Sequence, residues 1–257
     1  MNDRKENIIF LRSVASTSDY LKLRPPDRLS DGLAVVAEEQ TQGRGRGART
    51  WFSPKHLGLY VSAVFLPNVS SSDVGLYHLA GALAVVRSIA KCGGTGARIK
   101  WPNDILINER KVAGMLIETK IQHNLLRQLI VGVGINLYHQ SEDFPSDLRA
   151  TSASILSESG VRVNREELLL KALTNLRSFY NDIKNRTLAE AALIRDWQAM
   201  CAHLDRPVHV PAGEAACSGI FRGVDRSGAG LIETRDGLIQ KIFTSDLVQE
   251  SDHAFNH

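Results

Sequence analysis

The sequence predicts an α+β fold built on a mixed, mainly antiparallel sheet, with a small β-barrel at the C-terminal end. Three observations carry this expectation. Short apolar, β-branched stretches joined by tight loops recur from Asn7 to Leu137. Only one long helical pattern interrupts them, so the regular strand–helix alternation of a parallel sheet is missing. After Arg206-Pro207 the texture changes to brief strands separated by turns at Gly213, Asp225-Arg226-Ser227-Gly228 and Arg235-Asp236-Gly237. The division falls at residues 1–204 for a main domain and 205–257 for the barrel, which is too short for a generous core and is expected to pack on the main domain.

Asn7–Leu11 reads as the first strand. Ser16, Thr17 and Ser18 follow, any of which suits the cap of a short helix, and Arg24-Pro25-Pro26-Asp27 is a turn. Leu33–Ala37 and Leu57–Leu66 are strands. Between them lies a loop with Arg44, Arg46 and Arg49 among Gly43, Gly45 and Gly47, closing on Trp51. Ser71-Ser72-Asp73 opens a helix to about Lys91, ended by Cys92-Gly93-Gly94. Its His78 and Arg87 argue against a membrane span. Pro102 splits Arg98–Ile107 into two strand pieces, since central strands avoid proline. Asn108-Glu109-Arg110 is a hairpin turn between them and a strand over Lys111–Thr119; Gln128–Leu137 is the next strand. Phe144–Arg149 is irregular, a short helical piece ends at Gly160, and Asn164 caps a helix to about Tyr180. A last helix spans about Leu188–Cys201. The barrel strands are Val208–Val210, Ala215–Val224, Gly230–Thr234 and Leu238–Phe243.

The 257 residues carry 43% hydrophobic and 23% charged side chains, ordinary values for a globular protein. A net charge of +3 does not suggest a general nucleic-acid or membrane binder. Cys92, Cys201 and Cys217 are odd in number and far apart, which fits neither a disulfide framework nor a zinc site and suits a reducing cytoplasm. No apolar run after the initial MNDRKEN fits a signal peptide.

Polar clusters interrupt the apolar strands at Ser16–Ser18, at Gln40–Trp51, at Lys100-Trp101-Pro102-Asn103-Asp104, at Lys111 with Gly114, and at Asn136. Glycines let backbone approach a ligand closely, and arginines offer planar forks for carboxylate or phosphate. A Walker loop, an HExxH pair and a GxSxG elbow are all missing from the sequence, so neither metal nor triad hydrolysis is indicated. Handling of phosphate is the better expectation.

GRGRGARTWFSP, then KWPNDIL with RKVAGMLIE shortly after, then VGVGIN, all preceded by the early Ser-Thr-Ser, resemble the biotin–protein ligases in order and spacing. GIFRGVDRSGAGLIE resembles the small barrel that ends those enzymes. The resemblance implies a catalytic domain of the class II aminoacyl-tRNA synthetase-like, biotin–lipoate ligase type with a C-terminal SH3-like barrel. Because the first strand begins near Asn7, the expected class is the short one without an N-terminal helix-turn-helix, and no DNA or membrane partner is expected. The implied reaction joins biotin to ATP, with Mg²⁺, as biotinyl-5′-adenylate and pyrophosphate. A lysine of a biotin carboxyl carrier protein, part of acetyl-CoA carboxylase or a related carboxylase, then takes the biotin. The protein is expected to be cytoplasmic, and a monomer or a homodimer.

By motif position the resemblance implies that Ser16, Thr17, Ser18, Gln40, Gly43, Arg44, Gly45, Arg46, Lys111 and Gly114 bind biotin. Arg46, Arg49, Trp51, Lys100, Asn103 and Asn136 would bind the nucleotide, with Trp51 over the adenine, and Lys111, Arg46 and Asp104 would serve catalysis. Lys111 would bridge carboxylate and α-phosphate. Asp104 would help bind metal or manage the proton of the incoming amine, while Trp101 is read as core packing. The implied picture of the loop is a lid, open when empty and ordered over biotin and AMP. The chain departs from the family pattern in two places: Gly47-Ala48 shifts the loop's usual glycine by one residue, and Ser18 stands where asparagine is common. Two other readings stay open: a lipoate–protein ligase, and an RNA-binding module that uses the arginine-glycine loop and Trp51.

Overall fold

The computed structural model describes residues 7–211, 216–243 and 247–249. The chain ends of the two expected domains, the turn at Gly213 and the strand residue Ala215 lie outside them. Strands β1 (Ile8–Leu11), β2 (Ala34–Ala37), β3 (Gly58–Phe65), β4 (Val69–Ser70), β5 (Arg98–Lys100), β6 (Asp104–Ile107), β7 (Arg110–Gln122) and β8 (Leu125–Asn136) form the first sheet. Its order is β1-β2-β3-β8-β7-β6-β5, with β4 paired to β8. Only β1 and β2 run parallel; the other pairs are antiparallel. Helices α1 (Thr17–Lys22), α2 (Val74–Lys91), α3 (Ile155–Ser159), α4 (Arg165–Lys184) and α5 (Glu190–Ala199) complete this part. A second, fully antiparallel sheet has the order β12-β11-β10-β9-β13, from β9 (Pro207–Val210), β10 (Cys217–Val224), β11 (Gly230–Glu233), β12 (Ile239–Ile242) and β13 (Val248–Gln249).

Side chains on a strand alternate between faces, and cross-strand partners share one. Leu59, Val61, Ala63 and Phe65 of β3, with Val131, Val133 and Ile135 of β8, join the main core with α2 and α4. The opposite face carries Tyr60, Ser62 and Val64 of β3, and Gly132 and Gly134 of β8. Val64, Ile130, Val35 and Leu33 form a second, smaller core with Leu21 of α1. Glycine at 132 and 134, and at Gly114 opposite Gly134, therefore leaves room on the α1 face of the sheet. That shallow shelf holds the candidate site.

The long β7–β8 hairpin runs further than its apolar residues suggest, because Lys120 and Gln122 continue the ladder to a two-residue turn. There His123 and Asn124 both take positive φ (52° and 60°), the geometry whose twist matches paired strands. Residues Ser71–Lys91 are long and apolar enough to cross a membrane by composition, contrary to the expectation from His78 and Arg87. The structure uses them as a core helix: 78% of that window is buried, with Leu76, Tyr77, Leu79, Leu83, Val86 and Ile89 turned inward. The fourth helix continues past Tyr180 to Lys184, and the short strand β13 was not anticipated.

Candidate active site

A cavity of about 1010 Å³ runs over the glycine shelf from α1 to the edge of the second sheet. A volume of this order suits a substrate larger than one small metabolite. At one end, Ser16 caps α1, its Oγ accepting from the Asp19 N–H at 3.3 Å. This is the ordinary capping role, in a residue that also lines the cavity. The Thr17 N–H and hydroxyl both donate to Gln40 Oε1, at 2.8 and 3.0 Å. Thr17 Oγ1 lies 2.7 Å from Ser62 Oγ, which lies 2.9 Å from Ser18 Oγ. One proton per hydroxyl fixes the direction of this chain: Ser18 donates to Ser62, Ser62 to Thr17, and Thr17 to Gln40. Gln40 Nε2 then donates to Ser53 Oγ at 2.9 Å, and Ser53 donates to the Trp51 carbonyl at 3.0 Å. The hydroxyl protons of Thr17, Ser18 and Ser62 are thus committed, so what these oxygens can still offer is lone pairs.

Ser62 and Ser53 were not singled out from sequence. Ser62 sits in an apolar run and reads as core; only its phase, opposite to Val61 and Ala63, marks it as facing another way.

At the centre, Lys111 Nζ is 2.8 Å from Asp104 Oδ1, both about one-third exposed. Lys111 is the second residue of β7 and Asp104 begins β6, so the short β6–β7 hairpin, with positive φ at Asn108 and Glu109, brings them together. The Trp51 ring lies 5.2 Å from Lys111 Nζ. It rests on the glycine shelf: a Cβ added at Gly134 would meet Trp51 Nε1 at 2.2 Å, and one at Gly114 would meet Trp51 Cζ3 at 2.8 Å. Gly114 therefore admits the indole. The structure places Trp51 against the sheet, its buried Nε1 without a hydrogen-bond partner.

Several expected ligand contacts have another partner. Gly43 does not line the cavity. It accepts from the Trp51 N–H at 2.8 Å, and a Cβ there would meet the Trp51 carbonyl at 2.3 Å, so glycine is needed to close the loop. Arg44 lines the cavity, but its guanidinium reaches Asp19 at 2.7 Å and Glu118 at 3.0 Å. Partial burial disfavours that charge, and the two carboxylates outweigh it, so the Arg44 pKa is raised. Asn136 is buried and donates to the Ala153 carbonyl at 3.0 Å. Asn103 donates to the Met115 carbonyl at 2.9 Å, and its own carbonyl accepts from the Met115 N–H at 2.9 Å. Gly45, Arg46, Arg49 and Lys100 line the cavity.

The loop is closed on itself. Arg44 and Thr50 form a bridge, and the Gly45 N–H donates to the Arg49 carbonyl at 2.8 Å. Gly47 takes the positive φ the turn requires, 66°, with open space where a Cβ would be, while Ala48 does not take one. The shifted glycine is thus in register with its turn.

The far end was largely missed from sequence. Phe144, Leu148, Thr151 and Ser152 line it. Their segment is tied to β7 by backbone bonds, Lys111 N–H to the Thr151 carbonyl and Ala153 N–H to the Lys111 carbonyl, both 2.9 Å. His139 stacks on Phe144 at 4.7 Å behind it, fully buried and with neither ring nitrogen hydrogen-bonded. Burial pushes its pKa down to about 4, with Asp143 opposing. His203, Arg206 and Leu247 add a wall from the C-terminal part. His203 is likewise held down at about 4, by burial first and then by the charges of Lys100 and Arg206.

Residues 10–136 match the biotin/lipoate A/B protein ligase family. The biotin–[acetyl-CoA-carboxylase] ligase of Paracoccus denitrificans is 32% identical over 85% of this chain and 90% of its own. This chain belongs to the biotin–protein ligases. The bifunctional ligase/repressor BirA of Bacillus spizizenii is 30% identical over 94% of this ligase and 74% of its own length. The biotin protein ligase of Aquifex aeolicus, solved in complex with biotin and ATP, superposes with a TM-score of 0.79 at 28% identity, covering 95% of this ligase and 98% of that chain.

Proposed function

We infer that this ligase activates biotin with ATP to biotinyl-5′-adenylate and pyrophosphate, and then passes biotin to a lysine of a biotin carboxyl carrier domain of a carboxylase. The observation that carries the reading is one continuous cavity. It joins a wired hydroxyl cluster to a lysine–aspartate pair and three loop arginines, the chemistry needed by a ureido ring, a carboxylate and a phosphate in line.

The ureido N–H groups donate to the free lone pairs of Thr17, Ser18 and Ser62. Ser16, whose oxygen already accepts from Asp19, has a hydroxyl proton left for the ureido carbonyl. The biotin carboxylate then lies toward Lys111. Lys111 is a compact point charge, and it leaves Asp104 to bridge the carboxylate oxygen and the α-phosphate as the new C–O–P bond forms and pyrophosphate departs. Arg46 and Arg49 stabilise the phosphoryl oxygens, while Lys100 offsets charge at the hairpin. Positioning and charge stabilisation supply the rate, since no covalent enzyme intermediate is needed. In the second step the acceptor amine attacks the acyl carbon and AMP leaves with the bonding pair. Asp104, released from Lys111, accepts the amine's proton.

Among the described residues no cluster of three metal-ligating side chains exists. A Mg²⁺ carried by triphosphate needs only one or two protein carboxylates, and Asp104 fits that requirement. The ion would offset charge on the phosphates.

Biotin, lipoate and ATP–Mg²⁺ decide the substrate. Pyrophosphate release with biotin is expected; release with lipoate alone would overturn the assignment. The RNA-binding reading is not favoured, because Arg44 is engaged by Asp19 and Glu118 and Trp51 lies flat on the sheet.

A further inference from the structure

Trp101 stands where the two sheets meet. Its indole is 2% exposed and lies in the β5–β6 hairpin, between Lys100 and the Asn103-Asp104 pair. Although one side of the residue faces the cavity, its Nε1–H donates to the Gly228 carbonyl at 3.0 Å. The ring lies against Gly230, where an added Cβ would meet Trp101 Cε2 at 3.2 Å, and tilts toward Phe221 at 6.4 Å. Gly228 belongs to the β10–β11 connection of the C-terminal sheet and Gly230 opens β11; the turn is closed by Gly228 N–H to the Asp225 carbonyl and Asp225 N–H to the Ala229 carbonyl.

That turn is itself fixed from behind. Gly75, at the start of α2, lies so close to Ser227 that a Cβ would meet its carbonyl carbon at 2.1 Å. Arg226 reaches Glu190 of α5 at 3.0 Å and the buried Asp73 at 3.3 Å. The turn is thus wedged between α2 and the hairpin that presents Lys100 and Asp104. The hairpin is also held by the β6–β7 ladder, by the Asn103–Met115 pair of hydrogen bonds, and by backbone bonds of Ile99 with Met200 and Ala202.

We propose that Trp101 is a positioning residue: through it, the β10–β11 turn of the C-terminal sheet sets the place of the Lys100–Asp104 hairpin, and so the Asp104–Lys111 pair. The proposal rests on the ligase reading of the cavity. A buried indole N–H needs a partner, and Gly228 is the partner across the sheet junction. The hydroxyl cluster has no share in this linkage, since α1, Gln40 and β3 carry it. The two ends of the cavity should therefore separate in a variant.

The test uses the full chain. Trp101→Phe keeps an aromatic ring in the junction and deletes the N–H. Gly230→Ala presses on Phe221 and on the Trp101 ring from the C-terminal side, at a residue that does not itself line the cavity. For each, kcat/KM for ATP in biotin-dependent pyrophosphate release and the biotin Kd without ATP are measured. Losing about one net hydrogen bond predicts a fall of about tenfold in kcat/KM for ATP, with the biotin Kd within about twofold of the parent. A side chain that only stabilises the fold would lower the melting midpoint and leave kcat/KM for ATP in the folded protein unchanged. That outcome overturns the proposal, as does a parallel loss of biotin affinity and turnover. Gly230→Ala decides the matter on the same criteria if Trp101→Phe does not fold. A parent that releases no pyrophosphate with biotin would overturn the ligase reading itself, and this inference with it.

Discussion

At the hydroxyl end of the cavity, Thr17, Ser18, Gln40, Ser53 and Ser62 already hydrogen-bond to one another, and a ligand can add its donors to lone pairs left open. At the other end, Lys111 and Asp104 hold each other and Trp51 covers the glycine shelf. The first end is pre-organised, so it binds without rearrangement. The second must exchange partners when its ligand arrives, since Lys111 cannot serve Asp104 and a new carboxylate–phosphate bridge equally. Biotin affinity and adenylation rate should therefore respond to different residues.

The largest effect tests the exchanging end. Lys111→Met should lower the rate of pyrophosphate release at saturating biotin and ATP by about 10²–10³, the range for removing one charge-stabilising donor. Biotin affinity measured without ATP should fall far less. If the affinity collapses as fully as the rate, Lys111 serves ground-state binding and the contrast between the ends is wrong.

His139 tests what holds the Phe144 wall of the cavity in place. Its folded-state pKa is lowered from 6.5 to about 4. As pH falls, the unfolded chain takes up the proton first, so the stability tied to neutral His139 is complete above about pH 6.5. It declines below that and is lost as pH passes through about 4, a change on the order of 3 kcal/mol for one such group. His203 adds a term of the same sign. His139→Phe keeps a stacked ring on Phe144 and removes the titration. The slope of unfolding free energy against pH between 6.5 and 4 should become shallower, whatever the change in absolute stability. An unchanged slope would show that the stack does not hold the histidine neutral.

Ser62 tests the pre-organised end. Ser62→Ala takes the acceptor from Ser18 and the donor from Thr17 together. Biotin Kd should rise about tenfold, the cost of one to two net hydrogen bonds, and kcat at saturating biotin should stay within about twofold. A lowered kcat with intact affinity would place the serine in the chemistry instead.

The same contrast explains which parts of the molecule were legible in the sequence. The strands and helices were, because Val131, Val133 and Ile135 alternate with Gly132 and Gly134, and because Ser16 and Asn164 cap their helices as their types suggest. Lys111 and Asp104 were legible as charged residues placed at strand ends. Ser62 was not, since one serine within an apolar strand is normally buried with its neighbours; only the facing glycine Gly132 reveals a shelf there. The Phe144–Ser152 wall has no periodic pattern, and the backbone bonds that place it on Lys111 leave no trace in side-chain type. His203, Arg206 and Leu247 reach the cavity only through docking of distant segments. The protein partners of Asn136 and Arg44 were not legible for a common reason: each is a polar group whose partner comes from another part of the chain, Ala153 for one and Glu118 for the other.

Arg44 supplies the smallest effect. With Lys22 it joins Asp19 and Glu118 into a four-residue ionic cluster that ties the loop base to α1 and β7. Each side chain is partly open to water, so the pairs are worth at most about 1 kcal/mol and are screened by salt. Glu118→Gln removes one of the two carboxylates facing Arg44. The loop should then become easier to cleave by a protease specific for arginine, by a few-fold at low salt and by almost nothing at about 1 M salt, where the Debye length is about 3 Å. Biotin bound at the hydroxyl end should restore much of the protection, because Gln40 and Ser53 hold the other side of the same loop. Equal cleavage of parent and variant at low salt would mean that the loop's own bridge between Arg44 and Thr50 suffices to keep it closed, and that the cluster contributes only to solubility.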